Sequence, residues 1–282
     1  MKRILYISFV VLVLFTSCNS FNKIYKTTDI DYKYEAAKAY YLEGDYNKAS
    51  QLLETMITLL KGGDKAEESL MILAMCYYQS YDFETASQYF KVYYSNYPRG
   101  EFAELARFYS GKSLFNRISE PELDQTDTFS AITELQLFME YFPRSAYREE
   151  AQNMLFEMHD VLVKKDYLSA KLYYNLGTYI GNASTTADNN INGNNYLACI
   201  TTAQNALKDY PYTTMREEIS ILLLRAKYKL GAESVEEKKE ERMREAIDEY
   251  YAFKNEFPES KYMKEVEAIY KDASKYVKEL NE

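Results

Sequence analysis

Side chains able to do covalent or acid–base chemistry are few in this sequence, and they are poorly grouped. His159 is the single histidine, so a Ser-His triad or a histidine-based metal site has almost no material. It lies on the mostly polar side of its helix and reads as an ordinary surface residue. Paired carboxylates occur at Glu149-Glu150, Glu236-Glu237 and Glu240-Glu241. They are interleaved with Lys and Arg, the pattern of a solvated helix face rather than of a general acid and base. No glycine-rich phosphate loop, Cys-x-x-Cys pair or His/Glu metal motif is present. Cys76 and Cys199 fall where the repeats described below need small buried side chains. They come from different repeats, too far apart for the Cα spacing of about 4.4–6.8 Å that a disulfide needs. Both read as structural thiols. The expectation is no catalytic residue, no metal, no cofactor and no enzyme.

The third cysteine carries a different chemistry. Lys2 and Arg3 precede an apolar run from Ile4 to Phe15, followed by the small residues Thr16 and Ser17 and then Cys18. That order is an export signal over residues 1–17, and the run is shorter than the roughly 20 apolar residues a bilayer-spanning helix needs. Leu14-Phe15-Thr16-Ser17-Cys18 resembles a bacterial lipobox, in which the cysteine thiol is lipidated and becomes the first residue of the mature chain. Such a cysteine carries a diacylglyceryl group and usually a further acyl chain, and at about 0.8 kcal/mol per buried CH₂ more than one chain makes a durable anchor. Asn19, where an inner-membrane retention signal often places Asp, favours the outer membrane. Residues 18–29 read as a polar tether.

The elements that must position any function are helical repeats. Leu42-Glu43-Gly44-Asp45 and Gln79-Ser80-Tyr81-Asp82 each end one amphipathic run and open a second one with a small residue nearby. That is the signature of a helix–turn–helix unit of about 34 residues, the tetratricopeptide (TPR) type. A small residue stands twelve positions before a proline four times: Ala86/Pro98, Ala131/Pro143, Cys199/Pro211 and Ala246/Pro258. Proline cannot continue a helix, and Ser145, Thr213 and Ser260, two residues after a proline, can cap the next one. The first repeat has Ala49 and ends in Lys61-Gly62-Gly63, where glycine terminates.

First helices are visible at Leu70, Leu73, Ala74 and Tyr77 and at Tyr173-x-x-Leu176-Gly177-x-x-Ile180. Small residues spaced twenty or more apart imply insertions between the helices of repeats three to five, at Asn116–Thr128, the Asn-rich Asn182–Asn195 and the charged Gly231–Arg242. Tyr147 to Val163, with Ala151, Leu155, Met158 and Leu162 on one face, is an unpaired extra helix, and Tyr262 to Leu280 caps the end.

The expected fold class is all-α: a TPR-type α-solenoid superhelix of about five irregular helix pairs, one extra helix and a C-terminal capping helix. Its boundaries fall at about 30–143 for the N-terminal repeats, 145–164 for the extra helix, 166–258 for the C-terminal repeats and 260–280 for the cap. A net charge of -9 speaks against nucleic acid as a partner. Thirty Tyr and no Trp suit groove walls and interfaces as well as cores. By TPR geometry the groove-facing positions of the first helices are Tyr34, Lys38 and Tyr41, then Met71, Met75 and Tyr78, then Phe108, Lys112 and Phe115. An aromatic and Met-rich strip suits extended peptides with large apolar side chains.

The chain resembles the BamD family, the TPR lipoproteins of the β-barrel assembly machinery. The likeness is carried by the lipobox at Cys18, the five irregular repeats and local strings: Leu123-Asp124-Gln125-Thr126-Asp127-Thr128, Tyr141-Phe142-Pro143-Arg144-Ser145, Tyr210-Pro211-Tyr212-Thr213, and Glu240-Glu241-Arg242 leading to Phe257-Pro258-Glu259-Ser260. The resemblance implies a scaffold lipid-anchored on the periplasmic face of the outer membrane. Its N-terminal repeats would receive unfolded outer-membrane β-barrel precursors. Its C-terminal repeats would dock on the POTRA-bearing barrel protein BamA, with Arg216, Arg225 and Arg242 as candidates for pairing with acidic partner residues. The alternative is a TPR lipoprotein adaptor of another envelope system, in glycan import or cell-wall coordination.

Overall fold

The computed structural model describes residues 20–178 and 194–277, and among these residues there is no strand. A helical stretch over residues 20–25 precedes α1 (Ile30–Leu42), α2 (Tyr46–Leu60), α3 (Ala66–Gln79), α4 (Phe83–Asn96), α5 (Ala103–Phe115), α6 (Thr126–Tyr141), α7 (Arg148–Leu176), α8 (Asn195–Asp209), α9 (Arg216–Ala232), α10 (Glu236–Glu256) and α11 (Met263–Ala273). Consecutive helices pack against one another from α1 to α6 and again from α8 to α11. The chain is an all-α, TPR-like solenoid. It divides into two compact units, the first taking the chain up to Ser119 with Gln125–Leu155, the second Glu120–Asp124 with Phe156 onward.

The turns explain the repeat. After α1 the backbone N–H groups of Glu43, Gly44 and Asp45 donate to the carbonyls of Ala39, Tyr41 and Tyr40; after α3 those of Ser80, Tyr81 and Asp82 donate to Cys76, Tyr78 and Tyr77. The two turns are the same object. Both put one residue in the left-handed region, Gly44 at φ 82° and Tyr81 at φ 62°. In both, an aspartate then caps the second helix, Asp45 accepting from the Lys48 N–H at 3.3 Å and Asp82 from the Thr85 N–H at 3.1 Å. Second helices stop one residue before a cap whose N–H closes the last turn: Tyr97 to Tyr93, Phe142 to Phe138, Tyr210 to Ala206 and Phe257 to Phe253. The prolines follow those caps, and the hydroxyls of Ser145, Thr213 and Ser260 accept from the N–H two residues on, at 3.0, 3.2 and 3.0 Å.

In the first unit the helix pairs α1/α2, α3/α4 and α5/α6 bury Ala37, Ala49, Ala74, Ala86, Ala106 and Ala131 completely, with Leu52, Leu53, Leu73, Phe90, Phe108, Leu135 and Phe138 filling the space around them. In the second, Val163 and Ala170 on α7 pack with Cys199, Ala203 and Ala206 on α8 and with Leu222, Leu223 and Ala226 on α9. Ile221, Leu224, Tyr250, Phe253, Val266 and Ile269 join α9, α10 and α11.

Three expectations about element boundaries are corrected. An extra helix ending near residue 164 and a new one from 166 are instead the single 29-residue helix α7. Lys164-Lys165-Asp166-Tyr167 contains no glycine or proline to break it, and Leu162, Val163 and Ala170 continue one buried face. The same helix stops at Leu176 rather than running to residue 180, because Gly177 adopts φ 53° and caps it, the role glycine fills at a helix C-terminus. A Cβ there would also stand 2.8 Å from the Tyr196 hydroxyl. The charged insertion Gly231–Arg242 is mostly helix and not a loop: it lengthens α10 to 21 residues. Glu, Lys and Arg are good helix formers, Glu236 and Glu237 favour its N-terminal dipole, and Lys238–Glu241, Lys239–Glu236 and Arg244–Glu240 pair along it. The insertion at 116–125 does link α5 to α6. The cap helix ends at Ala273. Cys18, Asn19, Ile180, most of the Asn-rich segment and Leu280 lie outside the described residues.

Candidate functional site

Three consecutive first helices contribute to one cleft of about 270 Å³ in the first unit. Lys38, Tyr41 and Leu42 come from α1, Met71, Ile72, Met75 and Glu68 from α3, and Phe102 and Leu105 from the start of α5. Met71 and Met75 are one helical turn apart, as are Glu68 and Ile72, so a single face of α3 forms the floor. Phe102 is brought there by a tertiary clasp. Its backbone N–H donates to the Tyr93 hydroxyl at 3.0 Å, the Glu101 N–H donates to Glu67 Oε1 at 2.7 Å, and Tyr93 in turn donates to Glu67. A Cβ on Gly100 would lie 2.2 Å from that carboxylate, so glycine lets the turn close over it.

The rim is electrically settled. Lys38 Nζ lies 2.7 Å from Glu68 Oε1, and Tyr34 donates its hydroxyl to the other oxygen of Glu68. These two bonds, that of Lys38 foremost, hold the Glu68 carboxyl below its ordinary value, and burial followed by Glu68 pushes the Tyr34 hydroxyl up. Burial also raises Tyr41. What remains available is apolar surface from Tyr41, Leu42, Met71, Ile72, Met75, Phe102 and Leu105. Small-molecule cavities run roughly 300–1,000 Å³. This cleft is smaller, and suits large apolar side chains of an extended peptide.

Of the nine groove positions read from the sequence, the structure brings Lys38, Tyr41, Met71 and Met75 together. Tyr78 and Lys112 stand in a neighbouring aromatic patch. Tyr78 packs edge-on against Phe83 and Tyr109 and its hydroxyl accepts from Asn116 Nδ2 at 3.3 Å. Lys112 lies over Phe108 and Tyr109 and pairs with Glu150 at 2.6 Å. Phe115 is half-buried. Tyr34 and Phe108 are corrected: they are 2% and 0% exposed, and Phe108 stacks on Tyr147 at 4.6 Å and contacts Phe138 at 5.4 Å. Both belong to the packing between helices, since a large ring on a helix flank is drawn under its neighbour rather than left in the groove. Leu42, Glu68, Ile72, Phe102 and Leu105 were not foreseen. Glu68 and Ile72 could have been found by widening the α3 face by one residue; Phe102 depends on the Glu67–Tyr93 clasp and leaves no local signal.

The three candidate arginines Arg216, Arg225 and Arg242 of the second unit already have internal contacts. Arg216 pairs with Glu256, and its Nη1 donates to the Pro211 carbonyl at 3.3 Å. Arg225 grips Glu265 through two bonds of 2.6 Å, and Arg242 donates to Ser234 Oγ at 2.6 Å. Cys76 and Cys199 are free and buried, and burial pushes both thiols up to about 12. No group of His, Cys, Asp and Glu suited to a metal occurs among the described residues. No helix among them is long and apolar enough to cross a membrane.

A family model described as YfiO, outer membrane lipoprotein, matches residues 27–188, more than half of the chain and all of the cleft. The chain belongs to this family. Membership supports a lipid-anchored place in the envelope and a role in protein–protein interaction there. A comparison with curated proteins finds no match.

Proposed function

We propose that this protein is a BamD-like scaffold of β-barrel assembly, held by lipid on Cys18 at the periplasmic face of the outer membrane. The cleft of the first unit receives unfolded outer-membrane β-barrel precursors, and the C-terminal repeats dock on the POTRA-bearing barrel protein BamA. The observation that carries the reading is the cleft itself: apolar side chains from α1, α3 and α5 line one open site whose rim charges are already paired. Methionines and aromatics can repack around varied sequences, which a receiver of many precursors requires. Arg216 and Arg225 already have internal glutamate partners with which BamA docking through them competes, whereas Arg242 donates only to the neutral Ser234 hydroxyl and keeps its charge for a partner.

A photo-crosslinking residue placed at Met75 or Leu105 tests the first part. Unfolded precursor should be captured there, folded barrel should not, and a crosslinker at the exposed Phe129 on α6 should capture little. Equal capture at all three positions refutes the cleft. Depletion of the protein should lower the levels of outer-membrane barrels, and unchanged levels refute the assembly role.

A further inference from the structure

The second unit contains another cavity, of about 410 Å³, between α7 and the loop that follows α8. Phe156 and Asp160 face it from α7, Asp209 from the C-terminal end of α8, and Tyr210 and Tyr212 from the loop. Val163, fully buried, closes its base. Two large rings are left in solvent at this place: Phe156 is 58% exposed and Tyr212 96%. Tyr210 is half-buried between them and contacts the His159 ring at 5.9 Å.

The Asp160 and Asp209 carboxylates at this cavity have no cationic partner among the described residues, whereas several cations of the unit do have an anionic one. Arg216, Arg225 and Lys227 are each matched to a glutamate. Asp160 and Asp209 have no hydrogen bond or ion pair among the described residues. Asp166, six residues along α7 from Asp160, is raised above its ordinary value by burial and then by the negative charge of Asp209, with Lys165 acting against them. The nearby lysines have other contacts or do not line the cavity. Lys165 donates to the Leu123 carbonyl at 2.8 Å, Lys164 lies over the Tyr167 ring, and Lys208 is exposed and does not line the cavity.

We propose that this cavity docks a lysine or arginine side chain of a partner protein, the cation lying against Phe156, Tyr210 and Tyr212 and paired with Asp160 and Asp209. Aromatic faces attract a cation through their quadrupole, and unpaired carboxylates at the same rim add charge complementarity. An acidic partner residue would meet the like charge of Asp160 and Asp209 here, and a purely apolar one would cover two carboxylates without pairing them, at a desolvation cost. The second unit therefore presents acid to its partner, the opposite of what its arginines suggested in the sequence. The inference uses residues of this unit alone and does not depend on the barrel-assembly reading.

The chain has no Trp, so Tyr212→Trp in the full-length acylated protein, held in nonionic detergent, is a single fluorescent reporter at the rim. The probes are a capped pentapeptide with one arginine among glycines and serines, and its citrulline counterpart, isosteric but neutral. At low salt the arginine peptide should give a saturable change, and the citrulline peptide should bind at least tenfold more weakly. Asp160→Asn with Asp209→Asn should weaken the arginine peptide at least tenfold. Phe156→Leu should weaken it severalfold, with the helical circular dichroism unchanged because the ring is exposed. Equal binding of the two peptides, no saturable binding of either, or indifference to the Asp160 and Asp209 changes overturns the inference. Crosslinking of precursors at Met75 reads the first unit separately, so either proposal can fail while the other stands.

Discussion

Phe108 separates the packed interior from the binding wall, and Phe108→Ala tests that separation. The ring is 0% exposed, stacked on Tyr147 at 4.6 Å and against Phe138 at 5.4 Å. Truncating a buried phenylalanine costs about 3–5 kcal/mol through lost transfer energy and the cavity left behind, and the aromatic pairs lie within that range or add about 0.5–1.5 kcal/mol. In a solenoid the loss is felt by the helices that share the contact rather than by the whole chain. At about 3 kcal/mol, amides of α5 and α6 that exchange by opening of this region should exchange roughly a hundredfold faster, since about 1.4 kcal/mol is a factor of ten. Hydrogen exchange read by mass spectrometry, peptide by peptide, measures this, with α9 to α11 as internal reference. Met75→Ala, at a half-buried cleft residue, should show the reverse: weaker capture of unfolded precursor and less than about 1 kcal/mol of lost stability. If Phe108→Ala left exchange unchanged and weakened precursor capture, the assignment of this ring to the core would be refuted.

Tyr81 holds a left-handed φ of 62°, a conformation costing a non-glycine residue about 1–2 kcal/mol, and its ring is 81% exposed. Tyr81→Gly should therefore raise the stability of the first unit by up to about 1 kcal/mol, the added unfolded-state entropy offsetting part of the gain; a loss of stability in thermal unfolding would contradict this. The depressed carboxyl of Glu68 stabilises the fold above its ordinary value of 4.5, and that contribution is lost as pH falls from there through the lower folded-state value. An acid titration of thermal stability should be flatter between pH 4.5 and lower values in Glu68→Gln, and an unchanged slope would remove Glu68 as a contributor. Cys76 and Cys199, buried and with thiols raised to about 12, should resist iodoacetamide at pH 8 in the native protein. After denaturation, mass spectrometry should count two labels on acylated protein and three on chain with a free Cys18; native labelling at Cys76 would contradict the packing.

Helix pairing, turn chemistry and most core positions were legible in the sequence because they are local. The Gly44-Asp45 and Tyr81-Asp82 steps, the prolines after four of the five second helices and the small residues twelve positions before them leave regular marks in the chain, so spacing alone reveals them. The extent of α7 is also local: no helix breaker stands between Leu162 and Ala170, so the helix runs through the place where repeat spacing sets a boundary. The charged insertion between helices is itself largely helical, because residues such as Glu236 and Lys239 form helix by their own propensity.

Which face of each ring is covered was decided only by tertiary structure. Tyr34 and Phe108 occupy helix positions that differ little in sequence from those of Tyr41 and Met75, and only the neighbouring helix determines that the former are sealed and the latter open. The charge of the second unit has the same origin. Arg225 and Glu265 are forty residues apart, and nothing in either neighbourhood shows that they neutralise each other. Asp160 and Asp209, on α7 and at the end of α8, are left without such a match among the described residues. Electrostatic pairing depends on distance in space, and for residues this far apart in the chain only the folded packing sets that distance.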